Sequence, residues 1–197
     1  MGLENTRNKK LLYHLTKLDN VQSIIEHGLM SRAEIKNKKL NYGDVADPEI
    51  ISRREMLGLD IYVPFHFHPY SAFDYAVKNN HPDDKFVYIT IKRALAEIAG
   101  FKILISHPLS REECILYDYS EGISKIDWDT MERVGTEDQY AKNVKMAECL
   151  SHVTIPATLI QCVYVPDDWT KEYVEQLFWD RGITEQPPYV NVMESFF

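Results

Sequence analysis

The segment LLYHLTKLDNVQSIIEHGL, residues 11–29, predicts a short strand that is followed directly by an amphipathic helix. The helical part carries an apolar stripe and is expected to end at Gly28. In the strand, His14 and Thr16 share one face, because side chains alternate along a strand. A buried strand would prefer Val or Ile at these positions. The two polar side chains are therefore either satisfied residues of the core or the lining of a site.

The composition is that of one folded domain. The chain has 197 residues, of which 45% are hydrophobic and 26% are charged. It has no repeat and no Gly/Ser linker, so residues 1–197 are expected to form a single domain. Three cysteines without close spacing indicate a reducing compartment rather than a disulfide framework. A polar start and the lack of an apolar run of about 20 residues predict a cytoplasmic protein that does not enter a membrane.

The charge is distributed unevenly along the chain. The net charge is −8, yet residues 1–54 carry ten Lys/Arg and seven Asp/Glu, a net of +3 there and −11 in the remainder. This balance argues against a protein that coats duplex nucleic acid by charge alone. The clusters RNKK (7–10) and KNKK (36–39) are either solvated loops or a basic rim on an acidic body. The candidates for such a rim are Arg32, Lys36, Lys38 and Lys39.

Strands and helices are mixed without strict alternation, which predicts an α+β fold. Helix starts are predicted at a capping box formed by Asp19 and Gln22, and at Asp47 before Pro48. Two further starts are predicted at Ser71 with Asp74 and at Thr136 with Gln139. The predicted strands lie at residues 11–16, 61–68, 85–92, 101–106, 158–165 and 189–193.

Several common catalytic motifs are missing from the chain. It has no GxGxxG, no GxxxxGK[ST], no GxSxG and no HExxH, which excludes the usual nucleotide-binding folds and serine hydrolases. The stretch HFHP offers His66 and His68 as a possible metal pair, but no third ligand stands at a recognisable spacing. We therefore expect no metal site.

Two charged residues stand in apolar surroundings. Glu148 is flanked by MA and CL, and burial of a carboxylate is costly unless it is paired or functional. Arg54 has Ile50, Ile51 and Leu57 as neighbours on its predicted helix. The alternatives are a glutamate on a helix surface and an arginine whose charge reaches water.

An ordered set of short motifs resembles the DarT family of ADP-ribosyltransferase toxins, which modify nucleic-acid bases. The set is YHLT, an Asp-Asn, a helix ending in GL, a Glu/Arg-Arg helix, YVPFHFHPYS, IDW, AE before an apolar stretch, and an apolar strand near VYV. The resemblance covers residues 12 to 165 and extends more weakly to the C-terminus. It implies a compact ADP-ribosyltransferase fold, with two small, mainly antiparallel sheets, NAD in the cleft between them, and helices around.

The resemblance also implies roles for individual residues. Glu148 corresponds to the catalytic glutamate, and Arg54 to an arginine that gives electrostatic or relay support. NAD, the co-substrate, is expected to be bound by His14, Thr16, Asn20 and Leu29. The target base is expected to contact His66 and Phe73.

The chain departs from the family on the side of the target base. His66 stands where the family often has Tyr, AFDY follows the serine of YVPFHFHPYS, and LISH replaces FTD. A base in a single strand is the expected target, because a compact pocket cannot reach a ring nitrogen in a stacked duplex. DNA is expected because the family acts on DNA, and the departures make RNA, including messenger RNA, the alternative.

Two other readings differ in the class of protein. A protein-directed ADP-ribosyltransferase would suit the acidic body, and a catalytically inactive binding module could share the fold. The simultaneous presence of His14, Arg54 and Glu148 favours an active enzyme. By analogy with the family, the expected setting is a toxin–antitoxin or phage-defence system, with an antitoxin that removes ADP-ribose or blocks the site.

Overall fold

A computed structural model of the chain describes residues 5–108, 110, 114–135 and 138–197. Strands and helices follow one another irregularly along these residues. The strands are β1 (Leu11–Lys17), β2 (Val63–His66), β3 (Phe86–Lys92), β4 (Lys102–Leu104), β5 (Tyr117–Asp118), β6 (Glu148–Ser151), β7 (Cys162–Val165) and β8 (Tyr189–Val192). The helices are α1 (Val21–His27), α2 (Arg32–Lys38), α3 (Pro48–Met56), α4 (Ala72–Asn80), α5 (Arg93–Ile98), α6 (Tyr119–Lys125), α7 (Trp128–Glu132), α8 (Gln139–Lys145) and α9 (Asp168–Asp180).

The eight strands form one sheet in the order β5-β4-β6-β2-β1-β3-β7-β8. Neighbouring strands run antiparallel except for the parallel pair β7 and β8. In the described residues, β1 and β2 pair only where Tyr13 lies opposite His66, whereas β1 and β3 pair along their whole length. The sheet therefore consists of two halves that meet at one narrow junction. The predicted α+β class is confirmed, and the two expected sheets are joined into one because of this junction.

The hydrophobic core is built around β3 and the strands beside it. β3 is buried from Phe86 to Ile91, as expected for the alternating, β-branched stretch that predicted it. A second apolar cluster, with Tyr13, Tyr88 and Phe196, brings the C-terminus against the sheet. No helix in the described ranges combines the length and the hydropathy needed to cross a membrane.

Three predicted helix ends are confirmed. Asp47 caps α3, where its Oδ1 accepts a hydrogen bond from a backbone N–H (2.8 Å). At α4, the Asp74 N–H donates to Ser71 Oγ (3.2 Å), and the Ser71 N–H donates to Asp74 Oδ2 (2.8 Å). Gly28 ends α1 with a φ of 86°, a value that glycine adopts without strain. These local signals therefore fix the starts of the two helices that later contribute to the site.

The capping box predicted at Asp19 and Gln22 is wrong. Asp19 lies in a 3-10 turn (Leu18–Asn20), and the residue at the N-cap of α1 directs its amide to a distant loop instead of to the helix. The second predicted box begins at Thr136, which lies outside the described residues. The N-cap of α8 is Asp138, whose side chain accepts a backbone hydrogen bond (2.6 Å).

Gly122 sets how closely α6 approaches β4. A Cβ at this position would lie 2.3 Å from the Cβ of Ile103. We expect Gly122→Ala to lower the free energy of unfolding by about 1–3 kcal/mol through overpacking, although alanine is the better helix former. Ser120→Ala, at an exposed position of the same helix, is the matched control, and urea denaturation measures both. Equal stability of the two variants would contradict this packing.

Candidate active site

A pocket opens beside the junction between the two halves of the sheet, and its space, including the part open to solvent, is about 860 Å³. Its walls come from β1, β2, β6, α2, α3, the first turn of α4 and the connection between α2 and α3. The titratable residues that line it include His14, Arg54, His66, Asp74, His107 and Glu148.

Arg54 and Glu148 form a buried ion pair in the wall of this pocket. Arg54 lies near the end of α3, and Glu148 is the first residue of β6, opposite His66 on β2 and Leu104 on β4. Nη1 of Arg54 donates to both carboxylate oxygens, at 2.8 Å to Oε1 and 2.9 Å to Oε2. The two side chains are 7% and 6% exposed. The alternatives of a glutamate on a helix surface and an arginine whose charge reaches water are therefore wrong.

Such a pair is a poor means of stabilising a fold. Desolvation of two charges can cost more free energy than their attraction recovers, and apolar residues of similar volume often serve stability as well. Nη2 of Arg54 is also buried and has no hydrogen-bonding partner among the described residues. The pair thus leaves a donor group for another molecule, which fits a functional role better than a structural one.

His14 presents one occupied and one unoccupied ring nitrogen. Its Nδ1 lies 2.8 Å from the carbonyl oxygen of Pro64, which can only accept, so Nδ1 carries the proton. Burial lowers the pKa of His14 to about 4, so the ring is neutral near pH 7. The buried Nε2 is then a hydrogen-bond acceptor with no partner in the described part of the chain. A ligand hydroxyl or amide in the pocket would satisfy it.

Thr16 and Asn20 lie behind the pocket rather than in its lining. Thr16 is fully buried, and Nδ2 of Asn20 donates to Thr16 Oγ1 (3.0 Å) and to the Gly43 carbonyl (3.0 Å). The Gly43 N–H donates to Asn20 Oδ1 in return (2.8 Å). Burial raises the pKa of Tyr42, which lines the pocket, while a hydrogen bond with Thr16 lowers it. The two predicted residues therefore hold the connection that carries Tyr42 over the pocket.

Leu29 belongs to the core and does not line the pocket. Its side chain is 1% exposed in the main apolar cluster. Its N–H donates to the Ile155 carbonyl (2.8 Å), and its carbonyl accepts from the Ile155 N–H (2.9 Å). The neighbouring Met30 lines the pocket instead. Leu29 thus fixes the chain where it enters the pocket wall.

Arg32 lies in the pocket wall, apart from the three lysines with which it was grouped. Its Nε and Nη2 donate to the two carboxylate oxygens of Asp44, at 2.6 and 2.9 Å. Asp44 lines the pocket too, and hydrogen bonds from Arg32 hold its pKa below the usual value against the effect of burial. Arg32 is therefore available to a ligand in the pocket rather than to a nucleic-acid strand that runs along the surface.

The three lysines of the predicted rim are exposed and lie outside the pocket lining. Lys36 Nζ is 3.8 Å from Glu55, and Lys38 Nζ is 2.8 Å from Glu34. Lys39 follows α2 in a left-handed conformation, with a φ of 55°. Neighbouring carboxylates thus offset two of these charges, and the basic rim is weaker than the sequence alone indicates.

His66 and Phe73 lie together on another side of the pocket. Their ring centroids are 6.3 Å apart, and the ring planes differ by 35°. His66 is 8% exposed, and its Nδ1 is buried without a partner among the described residues. The pair therefore combines an apolar face with an unsatisfied polar atom, which is the combination that suits a planar, polar ring.

Four residues of the pocket carry a buried polar atom that has no hydrogen-bonding partner within the described ranges. Such atoms are few in folded proteins, and their concentration at one place needs an explanation. The simplest is that a polar molecule supplies the missing partners. The four atoms are His14 Nε2, Arg54 Nη2, His66 Nδ1 and Asp74 Oδ1.

Sequence reasoning missed several pocket residues for identifiable reasons. Tyr42 and Asp44 lie in a connection without a periodic pattern, and only the folded chain brings them to His14. His107, at the end of LISH, was expected on the side of the target base without a role of its own, and it lines the pocket. Burial lowers its pKa, while the Glu148 carboxylate opposes this shift. Asp74 was not missed: the sequence placed it, within AFDY, on the side of the target base, and it lines the pocket.

The histidines of HFHP do not form a metal centre with other residues in the described ranges, where no group of three or more His, Cys, Asp or Glu side chains could hold an ion. His66 lines the pocket, whereas the two ring nitrogens of His68 lie 3.0 and 2.9 Å from backbone carbonyl oxygens. The two histidine side chains therefore lie in different environments.

Comparisons with known proteins agree with these observations. A family model described as "ssDNA thymidine ADP-ribosyltransferase, DarT" matches residues 13–197. A curated relative from Thermosipho africanus (strain H17ap60334), a DNA ADP-ribosyl transferase-DNA ADP-ribosyl glycohydrolase fusion protein, is 27% identical over 186 residues. These cover 89% of this chain and 47% of the relative, so the chain spans about half the length of that relative.

Solved structures share the fold. Thermus sp. 2.9 DarT in complex with ADP-ribosylated ssDNA superposes with a TM-score of 0.80 at 21% identity, covering 96% of this chain and 97% of that one. Thermus sp. 2.9 DarT in complex with NAD+ gives 0.73 at 18% identity, covering 95% and 97%. Thermosipho africanus DarTG in complex with ADP-ribose gives 0.76 at 23% identity, covering 96% and 51%. The expected ADP-ribosyltransferase fold is confirmed.

The lowered pKa of His14 and that of His68 predict how stability depends on pH. Burial lowers both to about 4, against 6.5 in the unfolded chain. Between these values the unfolded chain binds protons that the folded chain does not, so stability falls as the pH drops from 6.5 towards 4. His14→Asn keeps a donor for the Pro64 carbonyl and is expected to reduce this slope by up to about 1.4 kcal/mol per pH unit.

Urea denaturation between pH 7.5 and 4.5 measures the slope. The exposed His152→Asn is the matched control and is expected to keep the wild-type slope. An unchanged slope in His14→Asn would show that His14 binds its proton equally well in the folded and unfolded chain, which would contradict the lowered pKa.

Proposed function

Because the chain belongs to the DarT family, we propose that it transfers ADP-ribose from NAD to a base of single-stranded DNA. The observation that carries the proposal is the buried pair of Arg54 and Glu148 in a pocket with four unpartnered polar atoms. An inactive module of the same fold would have no reason to keep these costly groups together.

NAD enters the proposal as co-substrate, and the residues present suit it. His14 Nε2 can accept a hydrogen bond from a ribose hydroxyl, while Tyr42 and Met30 give apolar surface in the same pocket. Arg32 uses two of its N–H groups on Asp44 and has others for an anionic group of a substrate. Thr16 and Asn20 support this part of the pocket from behind, through the hydrogen bonds described above.

The chemistry requires the bond between ribose C1′ and the nicotinamide nitrogen to break. Nicotinamide leaves with the bonding electrons, and positive charge of oxocarbenium type develops on the sugar. Glu148 is placed to stabilise that charge through a hydroxyl of the same ribose, and two hydrogen bonds from Arg54 hold its carboxylate in one orientation. A nitrogen of the nucleobase then bonds to C1′ and gives its proton to Glu148 or to another proton acceptor beside it. Such a proton transfer contributes about 100- to 10,000-fold in rate.

The base would occupy the side of the pocket with Phe73 and His66. Stacking on an aromatic ring can hold any of the four bases. The His66 Nδ1, which has no partner among the described residues, can contact the edge of the stacked base. A base can reach this position only out of the stack, which favours a single strand. Our candidates for contacts with the phosphate backbone remain the exposed Lys36, Lys38 and Lys39, and these contacts are few because of the acidic body.

A toxin–antitoxin or phage-defence setting is part of the proposal. An enzyme that modifies bases would damage the nucleic acid of the cell that produces it, so a neutralising partner is expected. The Thermosipho africanus relative joins a transferase and a glycohydrolase in one chain, and removal of ADP-ribose would be one such activity. A partner that blocks the pocket is the alternative.

Labelled NAD tests the proposal when it is offered with a single-stranded DNA oligonucleotide containing all four bases. The matched RNA, the DNA duplex and lysate protein serve as competing acceptors, and mass spectrometry locates the added ADP-ribose. We expect labelling of single-stranded DNA. Glu148→Gln is expected to slow it at least about 100-fold, because the charge that assists the transition state is lost.

Glu55→Gln is the control, since Glu55 is an exposed glutamate next to Arg54 on α3. Thermal melting verifies that each variant is folded. Labelling confined to RNA or to protein would overturn the choice of DNA, and no labelling would favour an inactive module. Full activity of folded Glu148→Gln would overturn the catalytic assignment.

A further inference from the structure

His68, the second histidine of HFHP, joins two turns that are distant in sequence. Its side chain is 1% exposed. Nδ1 lies 3.0 Å from the carbonyl oxygen of Pro69, the next residue, and Nε2 lies 2.9 Å from that of Lys145. Only the second contact links separate parts of the chain, because Lys145 is 77 residues away.

The contact with Lys145 lies at the end of α8, where carbonyl groups lack partners within the helix. Lys145 is itself buried, and its Nζ donates to the carbonyl groups of Arg133 and Gly135. Met146, which follows, lines the pocket, and Glu148 is three residues beyond Lys145. The position of this helix end therefore sets where β6 begins and where the carboxylate stands.

In the other direction, the chain that follows His68 leads to the wall of the pocket formed by α4. After Pro69, Tyr70 has a φ of 66°, and its N–H donates to the Tyr88 hydroxyl (3.0 Å). Ser71 then caps α4, whose first turn carries Phe73 and Asp74 into the pocket lining. His68 thus lies between the turn that leads to Phe73 and the turn that leads to Glu148.

We propose that His68 is a positioning residue, whose Nε2–H donates to the Lys145 carbonyl and fixes Glu148 relative to the wall formed by α4. His68 does not touch either substrate, and its effect on turnover rests on the function proposed above. A carbonyl oxygen only accepts, so the contact is a hydrogen bond only if Nε2 carries the proton. Displacement of a catalytic group by about 1 Å can cost on the order of 100-fold in rate, which gives the scale of the effect.

Two amide variants separate the contacts of the ring. His68→Gln places its amide nitrogen at the reach of Nε2 and keeps a donor for Lys145, whereas His68→Asn reaches only as far as Nδ1. We expect His68→Gln to stay within about threefold of the wild-type kcat and His68→Asn to lose about 10- to 100-fold, with the KM for NAD little changed in both. A residue that matters only for stability would give no such split and no rescue by Gln.

Nitrogen NMR of histidine-labelled wild-type protein tests the contact without any activity. We expect Nε2 of His68 to carry the proton near pH 7, and a proton on Nδ1 alone would overturn the proposal even where His68→Asn fails to fold. Equal kcat in the Asn and Gln variants, with an active wild type, would overturn the role of His68 alone. An inactive wild type would overturn the proposed function, and the role of His68 in turnover with it.

Discussion

The ion pair between Arg54 and Glu148 is the interaction on which the arrangement of the pocket depends. It joins the end of α3 to the start of β6 across 94 residues of sequence, and both side chains are almost fully buried. Removal of one partner from such a pair typically costs about 3–5 kcal/mol, because the other charge is left uncompensated. The fold therefore has to keep both ends in place. It does so with the strands on either side of Glu148, with the caps of α3 and α4, and with the polar contacts behind β1.

The narrow junction of the sheet explains where the pocket lies. β1 and β2 pair at Tyr13 opposite His66, and the pocket takes its lining from both strands beside this point. Polar residues of β1 then divide into two roles. His14 faces the pocket with an acceptor nitrogen that has no partner in the described part of the chain, while Thr16 joins Asn20 in holding the connection that carries Tyr42 and Asp44. A polar residue on a buried strand thus serves the pocket in either case, directly or from behind.

The sequence could predict the parts of the fold that local signals decide. β3 has the alternating β-branched pattern of a strand, and the caps at Asp47 and Ser71 use side chains next to the helix they start. The capping box at Asp19 failed because Asn20, at the N-cap, bonds to Gly43 instead. The order of the strands, the pairing of Arg32 with Asp44 and the core position of Leu29 all depend on contacts between distant segments, which no local pattern encodes.

The central claim is that the Arg54–Glu148 pair exists for chemistry and not for stability. The most direct test replaces both residues by apolar ones of similar volume, in the double variant Arg54→Met with Glu148→Leu, and measures thermal melting and ADP-ribose transfer on one preparation. Buried pairs replaced in this way are often as stable as before, or more so. The account predicts a folded protein with a melting temperature at or above that of the wild type and no transfer. A double variant that still transfers ADP-ribose, or one that does not fold, would contradict it.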